Sequence, residues 1–239
     1  MLQAALNGDR TADEHPAIPR TPEELAVAAA GAVREGAQVL HLHPYDEDGR
    51  QTVEAEPCAA AIRAVREACP GVPVSLSTSE AIEPDPDKRL NLVKQWIELP
   101  DLVTANQGEA GIEELCDLLL ERGVGIEAGL LTRADARAFV ARPALVARCV
   151  RAMVEPLDAD PSDAVAHGAH IERTLTDAGI PLPQVHHGDA IATWDVMDRG
   201  AARGHGIRVG LEDTVVMPDG SLVEDNAMLV AEAARMLAR

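Results

Sequence analysis

Residues 38–78 read QVLHLHPYDEDGRQTVEAEPCAAAIRAVREACPGVPVSLST, and the organisation of the whole chain can be worked out from them. The run Gln38 to His43 is short, mostly apolar and of strand length. From about Pro57 to Ala68 the sequence becomes Ala-rich with apolar residues at helical spacing, and Pro70-Gly71 stops it. A second apolar run then goes from Val72 to Thr78. Strand, helix and strand within about forty residues is the parallel βαβ unit, whose crossover needs a helix of this length.

The same alternation extends in both directions. Toward the N-terminus, Leu2 to Leu6 reads as a strand, and Thr21-Pro22-Glu23-Glu24 opens a helix with Thr21 as N-cap, Pro22 at the first helical position and Glu24 closing a capping box. Gly36 is placed to end that helix. Toward the C-terminus, strands are expected at Asp101 to Thr104, Val124 to Ala128, Arg148 to Val154, Pro183 to His187 and Ile207 to Glu212. Helices are expected at about Asp87 to Ile97, Glu109 to Arg122, Arg133 to Ala141, Asp160 to Ala178, Asp189 to Arg203 and Asp225 to Ala238. That makes eight strand-helix units with no glycine-rich GxGxxG turn after any strand, which favours a closed (β/α)8 TIM barrel over an open doubly wound sheet. No stretch is rich enough in Pro, Gly or Ser to separate domains, so residues 1–239 are expected to form a single α/β domain. Glu83-Pro84-Asp85-Pro86-Asp87 reads as a solvated loop.

Composition narrows the function. The formal net charge is -19, with 21 Lys and Arg against 40 Asp and Glu, a balance that disfavours nucleic-acid backbones and anionic membrane surfaces. The expected partner is a small molecule. Aromatic residues are limited to Tyr45, Trp96, Phe139 and Trp194, so small aliphatic side chains must fill the core. Cys58, Cys69, Cys116 and Cys149 are widely spaced without a CxxC pair and read as buried reduced thiols of a cytoplasmic protein. There is no signal-like N-terminus and no uninterrupted apolar window of about 18 residues.

In a barrel of this kind chemistry gathers at the carboxyl ends of the strands. Those ends are Asn7-Gly8, His41-Leu42-His43, Ser77-Thr78-Ser79, Thr104-Ala105-Asn106, Glu127, Glu155, His186-His187-Gly188-Asp189 and Arg208-Val209-Gly210-Leu211-Glu212-Asp213. The two-residue period of a strand puts His41 and His43 on one face, where two imidazoles can converge on a divalent cation. The same pair could equally be hydrogen-bonded core histidines. Arg208, Gly210 and Glu212 share a face of strand eight, which neighbours strand one in a closed barrel, so Glu212 can reach the same mouth. Two histidines and one carboxylate leave coordination positions open, as a catalytic metal requires. The competing reading is an inward Arg208–Glu212 ion pair that satisfies only itself and leaves Asp213 unexplained. Ser77-Thr78 and Thr104-Ala105-Asn106 can line a pocket or cap the helices that follow.

Asn7-Gly8, the Pro19 to Glu24 helix start, His41-Leu42-His43 with Asp46-Glu47-Asp48-Gly49-Arg50 behind it, Ser77-Thr78, Thr104-Ala105-Asn106 and Arg208 to Asp213 stand in an order and spacing that resembles the β-keto acid cleavage enzymes over nearly the whole chain. The resemblance implies a zinc-dependent barrel, multimeric in its family, that condenses a β-keto acid with acetyl-CoA. The products would be acetoacetate and a new acyl-CoA, reached through an enolate and a retro-Claisen step. It implies zinc on His41, His43 and Glu212, Asp213 as the base, and Arg208 with a strand-five carboxylate, here Glu127, orienting that base. Asn7, Arg10, Ser77, Thr78, Thr104 and Asn106 would line the substrate pocket.

The chain departs from the family pattern at several positions. Strand five reads Ile126-Glu127-Ala128-Gly129 where the family usually has Glu-x-Glu, so Gly129 replaces one carboxylate. Arg10 lies in the turn where the best-known member has an acid for a substrate amine, which favours an anionic or neutral substrate tail. Pro44-Tyr45 follows His43 where an Arg is frequent, and loops covering the pocket are expected to be shorter than in longer members. His187 is the more plausible additional site residue of the His186-His187 pair, while His167 and His170 fall on a helix away from the mouth. Two other readings stay open. One is a metal-dependent barrel hydrolase, disfavoured because Lys88 and Lys94 lie in helix three and cannot bridge metals. The other is a metal-binding barrel that has lost the CoA reaction.

Overall fold

A computed structural model describes all residues 1–239. The element order is β1 (Leu2–Ala5), α1 (Pro22–Arg34), β2 (Val39–Leu42), α2 (Ala55–Ala68), β3 (Val74–Ser77), α3 (Pro86–Lys94), β4 (Leu102–Asn106), α4 (Ile112–Glu121) and β5 (Gly125–Leu130). It continues with α5 (Arg133–Val140), α6 (Pro143–Val146), β6 (Arg151–Val154), α7 (Pro161–Asp177), β7 (Gln184–His186), α8 (Thr193–Ala202), β8 (Gly206–Val209) and α9 (Asn226–Leu237). The eight strands are all parallel and close in sequence order, with β8 pairing β1 through Leu2↔Ile207, Gln3↔Arg208 and Ala4↔Val209. This is the expected (β/α)8 barrel.

Pairing register divides the strand residues into two chemically different faces. Ala4, Leu40, Leu76, Val103, Ile126, Ala128, Ala152 and Val209 share the outer face and belong to the hydrophobic cluster beneath the helices. The opposite positions, Gln3, His41, Ser75, Thr104, Glu127, Arg151 and Arg208, are buried and polar. The apolar effect that drives folding therefore works mainly between sheet and helices. The barrel interior is held by hydrogen bonds: Glu127 accepts from Gln3 Nε2 at 3.1 Å, Arg151 Nε at 2.8 Å, Thr104 Oγ1 at 3.2 Å and the Ser75 hydroxyl. These donors satisfy both oxygens of a carboxylate that has no access to water.

Helix signals act where the sequence places them. Thr21 accepts from the Glu24 amide while the Glu24 side chain accepts from the Thr21 amide, and Pro22 opens α1. Most boundaries shift by one to three residues, and three differences have a cause that bears on the site. The segment expected to run from helix five into a long strand six is interrupted by α6, because Pro143 restarts a helical turn after Arg142, and this shortens β6 to Arg151–Val154. The single helix expected from Asp189 begins instead as a 3-10 turn, Ala190–Ala192, before α8. Strand eight ends at Val209, so Glu212 lies in the turn beyond it. Gly210 makes that turn possible, since a Cβ there would run into the Ala5 carbonyl oxygen.

The four cysteines are free and buried, and burial pushes the Cys58 and Cys149 thiols up to about 12 and Cys116 to about 11. No helix is long and apolar enough to cross a membrane.

Outside the barrel, Glu172 of α7 is gripped by Arg199, by Arg203 at 2.6 Å and by His205 at 3.3 Å, and His205 stacks on His186 with ring centroids 4.6 Å apart. Burial alone would raise the Glu172 pKa, but these hydrogen bonds bring it down to about 2 from 4.5. A carboxyl whose pKa is depressed by folding stabilises the fold above its unfolded pKa, and that contribution is lost as pH falls through the folded value. Between pH 4.5 and about 2, the wild type should therefore lose about 2–3 kcal/mol more than Glu172→Gln. Urea titrations of both proteins across that window check this, and equal slopes would refute it.

Candidate active site

A cavity of about 430 Å³ opens at the carboxyl ends of the strands and is lined by His41, His43, Ser77, Thr104, Asn106, Arg208, Glu212 and Asp213, with Arg10, Glu155 and Asp189 at its wall. His41 lies on β2 and His43 just beyond it, with ring centroids 5.3 Å apart. Both rings are anchored through Nδ1, His41 to Ser75 Oγ at 3.2 Å and His43 to Gln51 Oε1 at 2.5 Å. Each Nε2 is thereby turned toward Glu212, at 3.8 Å from Oε2 for His41 and 3.5 Å from Oε1 for His43. Gly8 lets this happen: its φ is +58°, and a Cβ there would collide with the Glu212 side chain.

The donor atoms of His41, His43 and Glu212 lie within 4.8 Å of one another, close enough to hold one metal ion. Several features fit a cation at this point. Glu212 Oε2 is buried with no hydrogen-bond partner. Burial, overcoming the pull of Glu212, holds the His41 pKa well below its usual value, which keeps a nitrogen lone pair available. Burial would raise the Glu212 pKa, yet Arg208 and the two histidines hold it well below the carboxylate range. Anchoring the far nitrogen of each imidazole is the usual way a metal ligand is oriented. Glu172, His186 and His205 form a second group of similar spacing, but there the carboxylate is already occupied by Arg199 and Arg203.

Asp213 is 3 % exposed and tightly framed. Its Oδ1 accepts from Arg208 Nη2 at 2.8 Å and Nε at 3.3 Å, while Oδ2 has no partner. Arg208 also bonds Glu212 Oε1 at 2.5 Å, so one guanidinium bridges both carboxylates. The backbone carbonyl of Asp213 accepts from Ala190 N at 2.7 Å, Thr193 Oγ1 at 3.2 Å and Arg10 Nη2 at 3.2 Å. Ala190 is held at φ +47°, a left-handed conformation uncommon for alanine, in making its bond.

Three of the expected roles change. Glu127 is one layer below the mouth and does not reach Asp213; through Ser75 it braces His41 instead. The next inward position on β5 is Gly129, and the space a side chain there would need is filled by Asn106. Asn7 stands behind the pocket: its amide nitrogen donates to Pro19 O at 3.0 Å and His43 O at 2.8 Å, and its oxygen accepts from Gly8 N and His43 N. With both polar atoms engaged it positions the His43 backbone and has nothing left for substrate. Thr78 is fully buried and donates to Thr104 O at 3.1 Å.

Ser77, Thr104, Asn106 and Arg10 do line the cavity. The capping alternative for Ser77 and Asn106 does not hold, because the N-cap of α3 is Asp85 and that of α4 is Gly111. Arg10 donates from Nε to Glu212 O at 3.0 Å and pairs with Glu14 at 3.4 Å and Asp189 at 3.6 Å. Tyr45 turns away from the cavity, donating to Gly8 O at 2.6 Å under the Arg20 guanidinium. Lys88 and Lys94 are both on α3, as expected. His186 faces α8, whereas His187 packs beside Asp213, and His167 and His170 are on α7.

Ser75, Gln51 and Glu155 have parts in this geometry that the motifs did not assign. Ser75 had a signal, being two residues before Ser77 on the same strand face. Gln51 had none, because it comes from a loop.

A model of the beta-keto acid cleavage enzyme family matches residues 1–188 and 187–239. The chain belongs to this family. A 3-keto-5-aminohexanoate cleavage enzyme of Fusobacterium nucleatum is 30% identical over 258 residues, covering 99% of this chain and 90% of that protein. Another of Acetoanaerobium sticklandii is 35% identical over 94 residues, 39% of this chain and 34% of that protein. Among solved structures, a ternary complex of ObcA with a C4-CoA adduct and oxalate superposes with a TM-score of 0.78 at 17% identity. That match covers 93% of this chain but 64% of the ObcA chain, so this chain spans under two thirds of that structural relative.

Proposed function

We propose that this β-keto acid cleavage enzyme is a zinc-dependent acyltransferase that converts a β-keto acid and acetyl-CoA into acetoacetate and a new acyl-CoA. The reading is supported above all by Asp213 Oδ2, a buried carboxylate oxygen without a partner at the edge of the two-histidine, one-carboxylate cluster. His41, His43 and Glu212 would hold the zinc, whose nitrogen-rich donor set suits that ion. Zinc bound there supplies Lewis acidity for the keto and carboxylate oxygens of a β-keto acid, acidifying the carbon between them.

Asp213 Oδ2 takes a proton from that carbon while Arg208 fixes Oδ1. The resulting enolate carbon bonds to the acetyl carbonyl carbon, and the thioester carbon–sulfur bond breaks to release CoA thiolate. The thiolate adds to the keto carbonyl of the original substrate, and the bond between that carbon and the former enolate carbon breaks. Asp213 returns its proton to the departing carbon, which leaves as acetoacetate. Ser77, Thr104 and Asn106 meet the polar atoms of the substrate from the cavity wall. The charge of Arg10 is already shared with Glu14 and Asp189, so the wall favours a neutral substrate tail over an anionic one. The strong negative charge accords with a small-molecule partner, the four free cysteines accord with a cytoplasmic location, and a homo-oligomer is expected.

The test is metal analysis of the purified protein together with acetoacetate release from acetyl-CoA and β-keto acids with neutral, anionic and cationic tails. Release with at least one of them supports the reading. Bound zinc with no product from any of them would leave a metal-binding barrel without the CoA reaction.

A further inference from the structure

We propose that Glu155 and His187 are the positioning pair that aims Asp213, in the role the family resemblance gave to a strand-five carboxylate. The proposal rests on Asp213 being the base in the reaction above. His187 has no exposed side-chain surface, and its Nδ1 faces Asp213 Oδ1 at 3.4 Å while its Nε2 faces Glu155 Oε2 at 3.5 Å. Neither ring nitrogen has another partner. Burying an imidazole without hydrogen bonds is costly unless its surroundings use it, and its two polar neighbours are these carboxylates.

The backbone fixes both residues as firmly as a strand would. Glu155 N donates to Leu130 O at 3.1 Å and His187 N donates to Val154 O at 3.2 Å, extending the β5–β6 and β6–β7 ladders by one residue each. Glu155 lines the cavity with its side chain 20% exposed, so the pair runs from the cavity wall to the buried side of Asp213. On the adjacent strand β5 the position that could have supplied an acid is Gly129, closed off by Asn106, and Glu127 is committed to the layer below. Asp213 Oδ1 therefore lies between Arg208, which bonds it, and the His187 ring 3.4 Å away, which leaves Oδ2 as the oxygen without a partner.

The experiment compares wild type, His187→Ala, His187→Asn and Glu155→Gln by crystal structure and by steady-state kinetics. In His187→Ala the Asp213 carboxylate should turn away from Arg208, and kcat should fall about 100-fold with KM changed less than about threefold, the scale of a catalytic group misplaced by an ångström. His187→Asn keeps a donor on the Asp213 side and should regain about tenfold, and Glu155→Gln should add no further loss when combined with His187→Ala. An unmoved Asp213 with wild-type kcat in His187→Ala overturns the proposal, as does a loss confined to KM. Should the wild type show no turnover while Asp213 still moves in His187→Ala, the functional reading fails and the positioning pair stands.

Discussion

Asp213→Asn is expected to lower kcat for acetoacetate formation by about 10³-fold, near the middle of the range for removing a general base, with zinc stoichiometry and KM little changed. The substitution keeps the shape of the side chain and a carbonyl oxygen for Arg208, so the loss isolates the basic oxygen from the packing. It also predicts where the defect lies. With a β-keto acid and no acetyl-CoA, the wild type should accelerate exchange of the protons between the two carbonyls with deuterium oxide, and Asp213→Asn should not. Undiminished exchange in the variant would assign the base elsewhere.

His43→Ala should release the metal and bring turnover down to the uncatalysed background. In the wild type, zinc at about a thousand times its Kd should raise stability by about 4 kcal/mol, seen as a higher melting temperature that a chelator reverses. His43→Ala should melt at one temperature with or without zinc. This separates the two groups that could hold an ion: zinc retained by His43→Ala and lost by His205→Ala would place it between α7 and β8. The mouth is favoured because Glu212 Oε2 is free, whereas Glu172 is already bonded by two arginines.

Much of the barrel was legible because its signals are local. Thr21-Pro22-Glu23-Glu24 caps α1 through contacts within four residues. Boundaries failed where distant contacts intervened: the Asp189 segment begins as a 3-10 turn because Ala190 N is drawn to the Asp213 carbonyl across the fold. Site residues divided in the same way. His41, His43, Glu212, Asp213 and Arg208 could be picked out because they sit at strand ends where apolar runs turn polar. Asn7 and Thr78 have the same signal but use their polar atoms on the backbone behind the pocket.

The sequence by itself determined the eight-unit barrel, the residues at its mouth and the histidine pair, since strand period and helix capping are set by near neighbours. Only the tertiary structure decided which carboxylates meet which bases. Closure of β8 on β1 carried Glu212 past Gly8 to the two histidines, and the register of β5 put Glu127 one layer too low to touch Asp213. A one-layer difference in height along a strand is invisible in a motif, because it depends on how far each strand slides against its neighbour when the barrel closes.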